Sequence, residues 1–276
     1  MQDERILLSV ECRFECSSVA PSRIRPSSFL CQGYHITKSV VPSCPIQCHF
    51  HLSRFFPLHF IDKMIKMNKI LVTADLHGSF KPIRTLFEYM EQKEMPLTEN
   101  DVLIVLGDLG ANFFFNWRDV KYKKKLGKYK VTYFAIRGNH EERPSVCMEK
   151  NPDAWHIEEF WGNQVYVEND FPYIKYALDI PAKYEIPNGD KIIKTLVLPG
   201  AYSVDKYYRC ANDLGWFPTE QCTKEEMAAG TALAQSDTWD LVLSHTCPTI
   251  YEPTDLFLSF IDQSMVDKTT ERWLGQ

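Results

Sequence analysis

Four short apolar runs each end in side chains that bind metals, and this recurrence restricts the fold more than any other feature. Ile70-Leu71-Val72-Thr73-Ala74 leads into Asp75-Leu76-His77-Gly78, and residues 101–106 lead into Gly107-Asp108-Leu109-Gly110. Residues 131–136 lead into Arg137-Gly138-Asn139-His140-Glu141, and Leu241-Val242-Leu243 leads into Ser244-His245-Thr246. Runs of this length and composition read as buried strands of an α/β sheet, whose C-terminal tips are where such sheets carry their chemistry. Asp75 and His77 are two residues apart, so an extended backbone would send both side chains from one face. Asp75, His77, Asp108, Asn139 and His245 together offer hard oxygens and imidazole nitrogens for two divalent ions, with one carboxylate able to bridge them. The neighbouring glycines let backbone approach closely.

As an ordered set, Asp-Leu-His, Gly-Asp-Leu-Gly, Arg-Gly-Asn-His-Glu and Ser-His-Thr resemble the calcineurin-like metallophosphoesterase superfamily. The resemblance runs from about Met67 to the C-terminus. The stretch Gly200-Ala201-Tyr202-Ser203-Val204-Asp205-Lys206 and residues 256–274 are similar to bacterial and phage-type members. The resemblance implies an α/β fold, a four-layer αββα sandwich of two mixed sheets. It implies a binuclear-metal-dependent phosphoesterase that cleaves a phosphate mono- or diester by a metal-bridging hydroxide. Asp75 and His77 would then serve one metal, Asn139 and His245 the other, and Asp108 both. His140 would donate a proton to, or orient, the leaving oxygen, a role that suits an imidazole. Manganese, iron, zinc and nickel all accept such donor sets, with manganese favoured.

The composition, 45% hydrophobic and 24% charged, is ordinary for a soluble globular chain. The net charge of −5 and the lack of aromatic-basic alternation disfavour nucleic acid as a partner. A phosphorylated small molecule, nucleotide or protein remains as substrate. Gly107-Asp108-Leu109-Gly110 lacks the Asp-Arg-Gly extension carried by protein phosphatases, which makes a protein substrate the less favoured of these. No apolar run reaches the roughly 18–20 residues that span a bilayer, and the expected location is cytoplasmic.

Residues 1–66 read as an extension, disordered or preceding the true start, and residues 67–276 as the metallophosphoesterase domain. Five of the nine cysteines lie in that extension, at Cys12, Cys16, Cys31, Cys44 and Cys48. A zinc module from Cys12, Cys16, Cys44 and Cys48 with His49 or His51 is a competing reading, although the spacing is atypical. Further on, residues 81–94 carry Ile83, Leu86, Phe87 and Met90 at helical spacing. Phe113, Phe114, Phe115 and Trp117 read as a loop over the sheet edge or a pocket lining, and the following lysines as a solvated helix face or as a draw for an anionic substrate. Asn151-Pro152-Asp153 predicts a short helix with Trp155 and Phe160 inward. Four strand-like runs between 164 and 198 suggest the second sheet, with a hairpin at Pro187-Asn188-Gly189-Asp190. Lys206 and Arg209, in a loop over 200–212, are candidate contacts to a substrate phosphate. Thr223-Lys224-Glu225-Glu226 matches a capping box.

The family pattern ends in a Gly-His-x-His turn, and none of the eight histidines lies beyond His245. The chain therefore reads as lacking its C-terminal part or as a metal-poor form, with weakened or absent activity expected. A degenerate scaffold that keeps the fold and binds a partner, and a nuclease of the same superfamily, are the alternatives.

Overall fold

The computed structural model describes residues 69–257, 259 and 261–276. The expectations for residues 1–66, the zinc module among them, lie outside the described residues. Strands β1 (Ile70–Thr73), β2 (Val102–Leu106) and β3 (Thr132–Ile136) run parallel, separated by helices α1 (Lys81–Gln92) and α2 (Trp117–Leu126). Asp101 fixes where this unit begins: its carboxylate accepts from the N–H groups of Lys69 and Thr98, both at 2.6 Å. Helix α3 (Pro144–Lys150), absent from the sequence reading, opens on a proline, whose fixed φ suits the first helical turn. Strands β4 (Trp155–Phe160), β5 (Asn163–Glu168) and β6 (Ile174–Ala177) complete a six-stranded sheet in the order β1-β2-β3-β6-β5-β4. Strands β7 (Ala182–Asn188), β8 (Lys191–Leu198) and β9 (Leu241–Ser244) form the second sheet, in which β7–β8 is antiparallel and β8–β9 parallel. Helices α4 (Lys206–Ala211), α5 (Lys224–Ser236) and α6 (Thr269–Leu274) complete the set.

Alternation along the strands builds the layers. On β2 and β3, Leu103, Val105, Tyr133 and Ala135 face α1 and α2, while Val102, Ile104, Phe134 and Ile136 face the second sheet. On β8, Val197 faces the first sheet and its neighbours Leu196 and Leu198 face Met227 of α5 and Trp273 of α6. The expected four-layer sandwich follows, since every face of each sheet has apolar cover. Tyr184 ties the two sheets together. Fully buried, its hydroxyl accepts from Leu178 N and donates to Gln164 O, both at 2.9 Å. Burying such a ring contributes roughly 2–3 kcal/mol.

Several expectations need correction. Of the four strand-like runs after residue 163, β5 and β6 extend the first sheet, and only β7 and β8 join the second. Strand-forming residues carry no information about partners, and here β6 takes the free edge of β3 in parallel register. Residues 155–160 are a strand, not a helix. Pro152–Ala154 makes a single 3-10 turn, and β4 then pairs with β5 across Trp161 and Gly162, both at positive φ. Lys123 is not part of the solvated face of α2, because it is buried and paired with Glu168. The β7–β8 hairpin turns at Gly189 as expected, and Thr223 and Glu226 form the full capping box on α5. Residues 253–262 belong to a separate unit and carry a 3-10 turn, Thr254–Leu256. No helix among the described residues is long and apolar enough to cross a membrane.

Candidate metal centre

Parallel pairing aligns the C-terminal ends of β1, β2 and β3, so the turns that follow them meet at one edge. Beyond the strands the first two turns continue the ladder: Asp75, His77 and Gly78 donate their N–H groups to the carbonyls of Gly107, Asp108 and Leu109 at 3.3, 2.8 and 3.1 Å. The extended backbone expected at Asp75 and His77 does not persist. Both residues, and Asp108, sit at positive φ (52°, 45° and 53°). Such conformations are costly for residues with a Cβ, and they concentrate at functional sites. Two glycines make the packing feasible. A Cβ on Gly107 would lie 2.2 Å from His245 Nδ1, and one on Gly138 would lie 2.1 Å from Asp108 Oδ1.

All five candidate ligands converge. Asp108 Oδ2 lies 3.6 Å from His77 Nε2 and 3.5 Å from His245 Nε2, and Asp75 Oδ1 lies 3.9 and 4.0 Å from the same two nitrogens. Asn139 Oδ1 is 2.7 Å from His245 Nε2. Two groups of donor atoms lie within 4.8 Å of one another: Asp75, Asp108 and His245, and His77, Asp108 and His140. Asp108 is common to both. His245 arrives from the second sheet and donates Nδ1–H to Leu106 O at 2.7 Å, which leaves Nε2 as the nitrogen aimed at the carboxylates. Burial opposes charge on His245, but the Asp108 carboxylate beside it overrides this and raises its pKa to about 10. The same attraction, with the two other imidazoles, holds Asp108 well below the usual carboxylate range despite its burial. Carboxylates and imidazoles directed at one another in this way fit a divalent cation, which would displace the His245 proton on binding.

His140 follows Asn139 on the third turn, and its N–H donates to Asp108 Oδ1 at 2.8 Å. Its ring lies 4.9 Å from that of His77. Arg209, on α4 rather than in the loop expected there, donates from Nη2 to His140 Nδ1 at 2.9 Å. A guanidinium has no acceptor, so Nδ1 carries the lone pair and Nε2 the proton. His140 Nε2 lies 3.4 Å from Asp205 Oδ1, while the other Asp205 oxygen accepts from Arg209 Nε at 2.7 Å. Lys206 lies elsewhere on α4, its ammonium 4.2 Å from the ring centre of Trp216.

Several supporting residues went unassigned in the sequence. Glu141 is buried beneath the turns and accepts from the N–H groups of Asp108 and Gly138, both at 3.1 Å. Burial, then the charge of Asp108, raises its pKa to about 7. Ser203 accepts from Asn139 Nδ2 at 2.8 Å and donates to Glu220 at 2.5 Å, so the Asn139 oxygen is left pointing at His245. Arg143 forks onto Glu226 at 2.7 and 3.0 Å and also donates to the carbonyls of Thr219 and Gln221. Ser203 and Asp205 lie within the 200–206 stretch that carried the resemblance, whereas nothing local distinguishes Glu220.

A family model described as calcineurin-like phosphoesterase matches residues 68–273. No curated protein matches the chain.

Proposed function

Because the chain belongs to the calcineurin-like phosphoesterase family, in which phosphoester hydrolysis depends on divalent metals, we propose that it is a binuclear phosphoester hydrolase. The observation that carries this reading is Asp108, buried, with Oδ2 3.6 Å from His77 Nε2 and 3.5 Å from His245 Nε2. Asp75 and His77 would hold one ion with Asp108, and Asn139 and His245 the other with Asp108. When bound, the ions supply positive charge opposite the phosphoryl oxygens and a nucleophile from water near neutral pH.

The remaining roles belong to side chains. His140 is held as the Nε2–H tautomer by Arg209, so it carries a proton where a leaving oxygen needs one. Neither of its nitrogens is then free to bind metal, which supports the proton-donor role over a ligand role. Asp205 braces Arg209 and faces Nε2. Arg209 thus acts first on His140, and its charge would also face a bound phosphate there. Ser203 turns the Asn139 amide so that its oxygen faces the ion. The substrate is a phosphate mono- or diester and the favoured metal is manganese.

The test combines metal stoichiometry with hydrolysis of p-nitrophenyl phosphate and its bis-ester by the full chain. The expected result is two manganese equivalents, turnover abolished by chelation, and Asp108→Asn losing about 10³-fold or more in rate, since several kcal/mol of charge stabilisation go with it. Fewer than two equivalents would overturn the binuclear reading. Two equivalents without turnover of either ester would favour the scaffold.

A further inference from the structure

The sequence lacks an alternation of aromatic and basic residues, but the folded chain assembles one in space. It starts at the catalytic histidine. Arg209, hydrogen-bonded to His140, lies with its guanidinium carbon 5.5 Å from the ring centre of Phe113. Phe113 meets Phe114 edge to face at 4.7 Å. Arg118 covers Phe114 at 4.9 Å and reaches Trp117 at 5.8 Å, and Lys121 lies 5.6 Å from the same indole. Lys124 and Lys125 continue along α2, where they line, with Trp117 and Lys121, a depression of about 400 Å³.

Three properties set this row apart from an ordinary solvated helix. Its outer rings are open to solvent, Phe114 at 46% and Trp117 at 64% exposure, although burial would favour them. Its cations are unspent: among the described residues, none of Arg118, Lys121, Lys124 and Lys125 is in an ion pair. The single acid between residues 117 and 130, Asp119, is buried and turned inward. It accepts from the N–H groups of Phe114 and Phe115 at 2.9 and 2.7 Å, which fixes the aromatic loop in place before any ligand arrives.

We propose that this row binds single-stranded nucleic acid, bases stacking on Trp117 and Phe114 and phosphates pairing with Arg118 and the α2 lysines, and leads the strand toward His140. The use of the row to deliver a phosphodiester rests on the phosphoesterase reading; the binding itself does not. Exposed rings interleaved with cations suit single strands because every base has a face to stack and every nucleotide a charge to neutralise. The overall charge of −5 makes a local basic row the more selective, since the remaining surface repels the same polymer.

The experiment is fluorescence anisotropy of labelled dT12 and rU12 with the full chain, EDTA being present to prevent turnover. Both probes are expected to bind, and a difference between them identifies DNA or RNA as the preferred strand. Four neutralised phosphates predict a slope of about −3 for log affinity against log salt. Trp117→Ala is expected to weaken binding about ten-fold. A Lys121→Glu, Lys124→Glu, Lys125→Glu triple variant is expected to weaken it further and flatten the slope. Both variants alter exposed side chains and should keep the parent melting temperature and bis-ester hydrolysis. No binding of either probe would overturn the proposal, as would duplex binding as tightly as single strand with Trp117→Ala without effect, which marks a plain anion surface. Absent hydrolysis with binding intact overturns the phosphoesterase reading alone, and absent binding with hydrolysis intact overturns only the row.

Discussion

At the strand tips the donors are held by backbone: Asp75, His77 and Asp108 occupy left-handed conformations in two turns joined by main-chain hydrogen bonds, with Gly107 and Gly138 clearing the space. Residues 200–222 reach the same centre by other means. Gly200 N–H donates to Arg137 O, and the other links described are side-chain contacts: Ser203 to Asn139, Asp205 and Arg209 to His140, Thr219 and Gln221 carbonyls to Arg143. A donor set by backbone tolerates little change around it but is specified locally. A group set by side chains depends on partners tens of residues away, and each link can be cut singly. The first region therefore fixes where the ions would sit, and the second tunes what the centre does with them.

Mutations that sever single links sharpen this contrast. His140→Ala removes the proton carried at Nε2 and should cost about 10²–10⁴-fold in kcat on phenyl phosphate, with a smaller loss on p-nitrophenyl phosphate, whose leaving group needs less help. An equal loss on both esters would deny His140 that role. Ser203→Ala frees the Asn139 amide and leaves Glu220 without its hydroxyl donor. Manganese titration should then show affinity about 10- to 100-fold weaker, with the fold intact by circular dichroism. Unchanged affinity would mean that the backbone alone suffices to aim Asn139.

The smallest effect tests the Arg143–Glu226 pair. Burial opposes ionisation of Glu226, but the Arg143 guanidinium more than offsets this and lowers its pKa. A carboxylate whose pKa is lower in the folded state adds stability above its unfolded value, and that stability is lost as pH falls through the folded value. Glu226→Gln keeps a residue suited to the capping box while removing the ion pair. It should lower Tm by about 3–8 °C at pH 7, and the gap to the parent should close below about pH 4. A constant gap across that range would assign the loss to packing instead.

The difference between the two regions also explains what the sequence reveals. Strand runs, donor turns and glycines are contiguous, so β1, β2 and β3, the five candidate ligands and the position of His140 can be read along the chain. Local pattern is equally good for the Gly189 hairpin and the Thr223 capping box. It fails where a partner decides the outcome. Residues 155–160 resemble a helix face because Trp155 and Phe160 are the large residues, yet pairing with β5 makes them a strand. β5 and β6 read as strands, but only the open edge of β3 says which sheet takes them. Lys123 belongs to a lysine run and is buried because Glu168, far along the chain, faces it. Glu220 gives no local signal, since its work is done through Ser203.

The hydrogen bonds joining the two donor turns have a further consequence for amide exchange. Asp75, His77 and Gly78 lie outside any strand, and loop amides ordinarily exchange with solvent almost freely. Their N–H groups nevertheless continue the β1–β2 ladder, so their deuterium uptake should follow that of the ladder amides, Ile104 among them, rather than the near-free exchange of a loop.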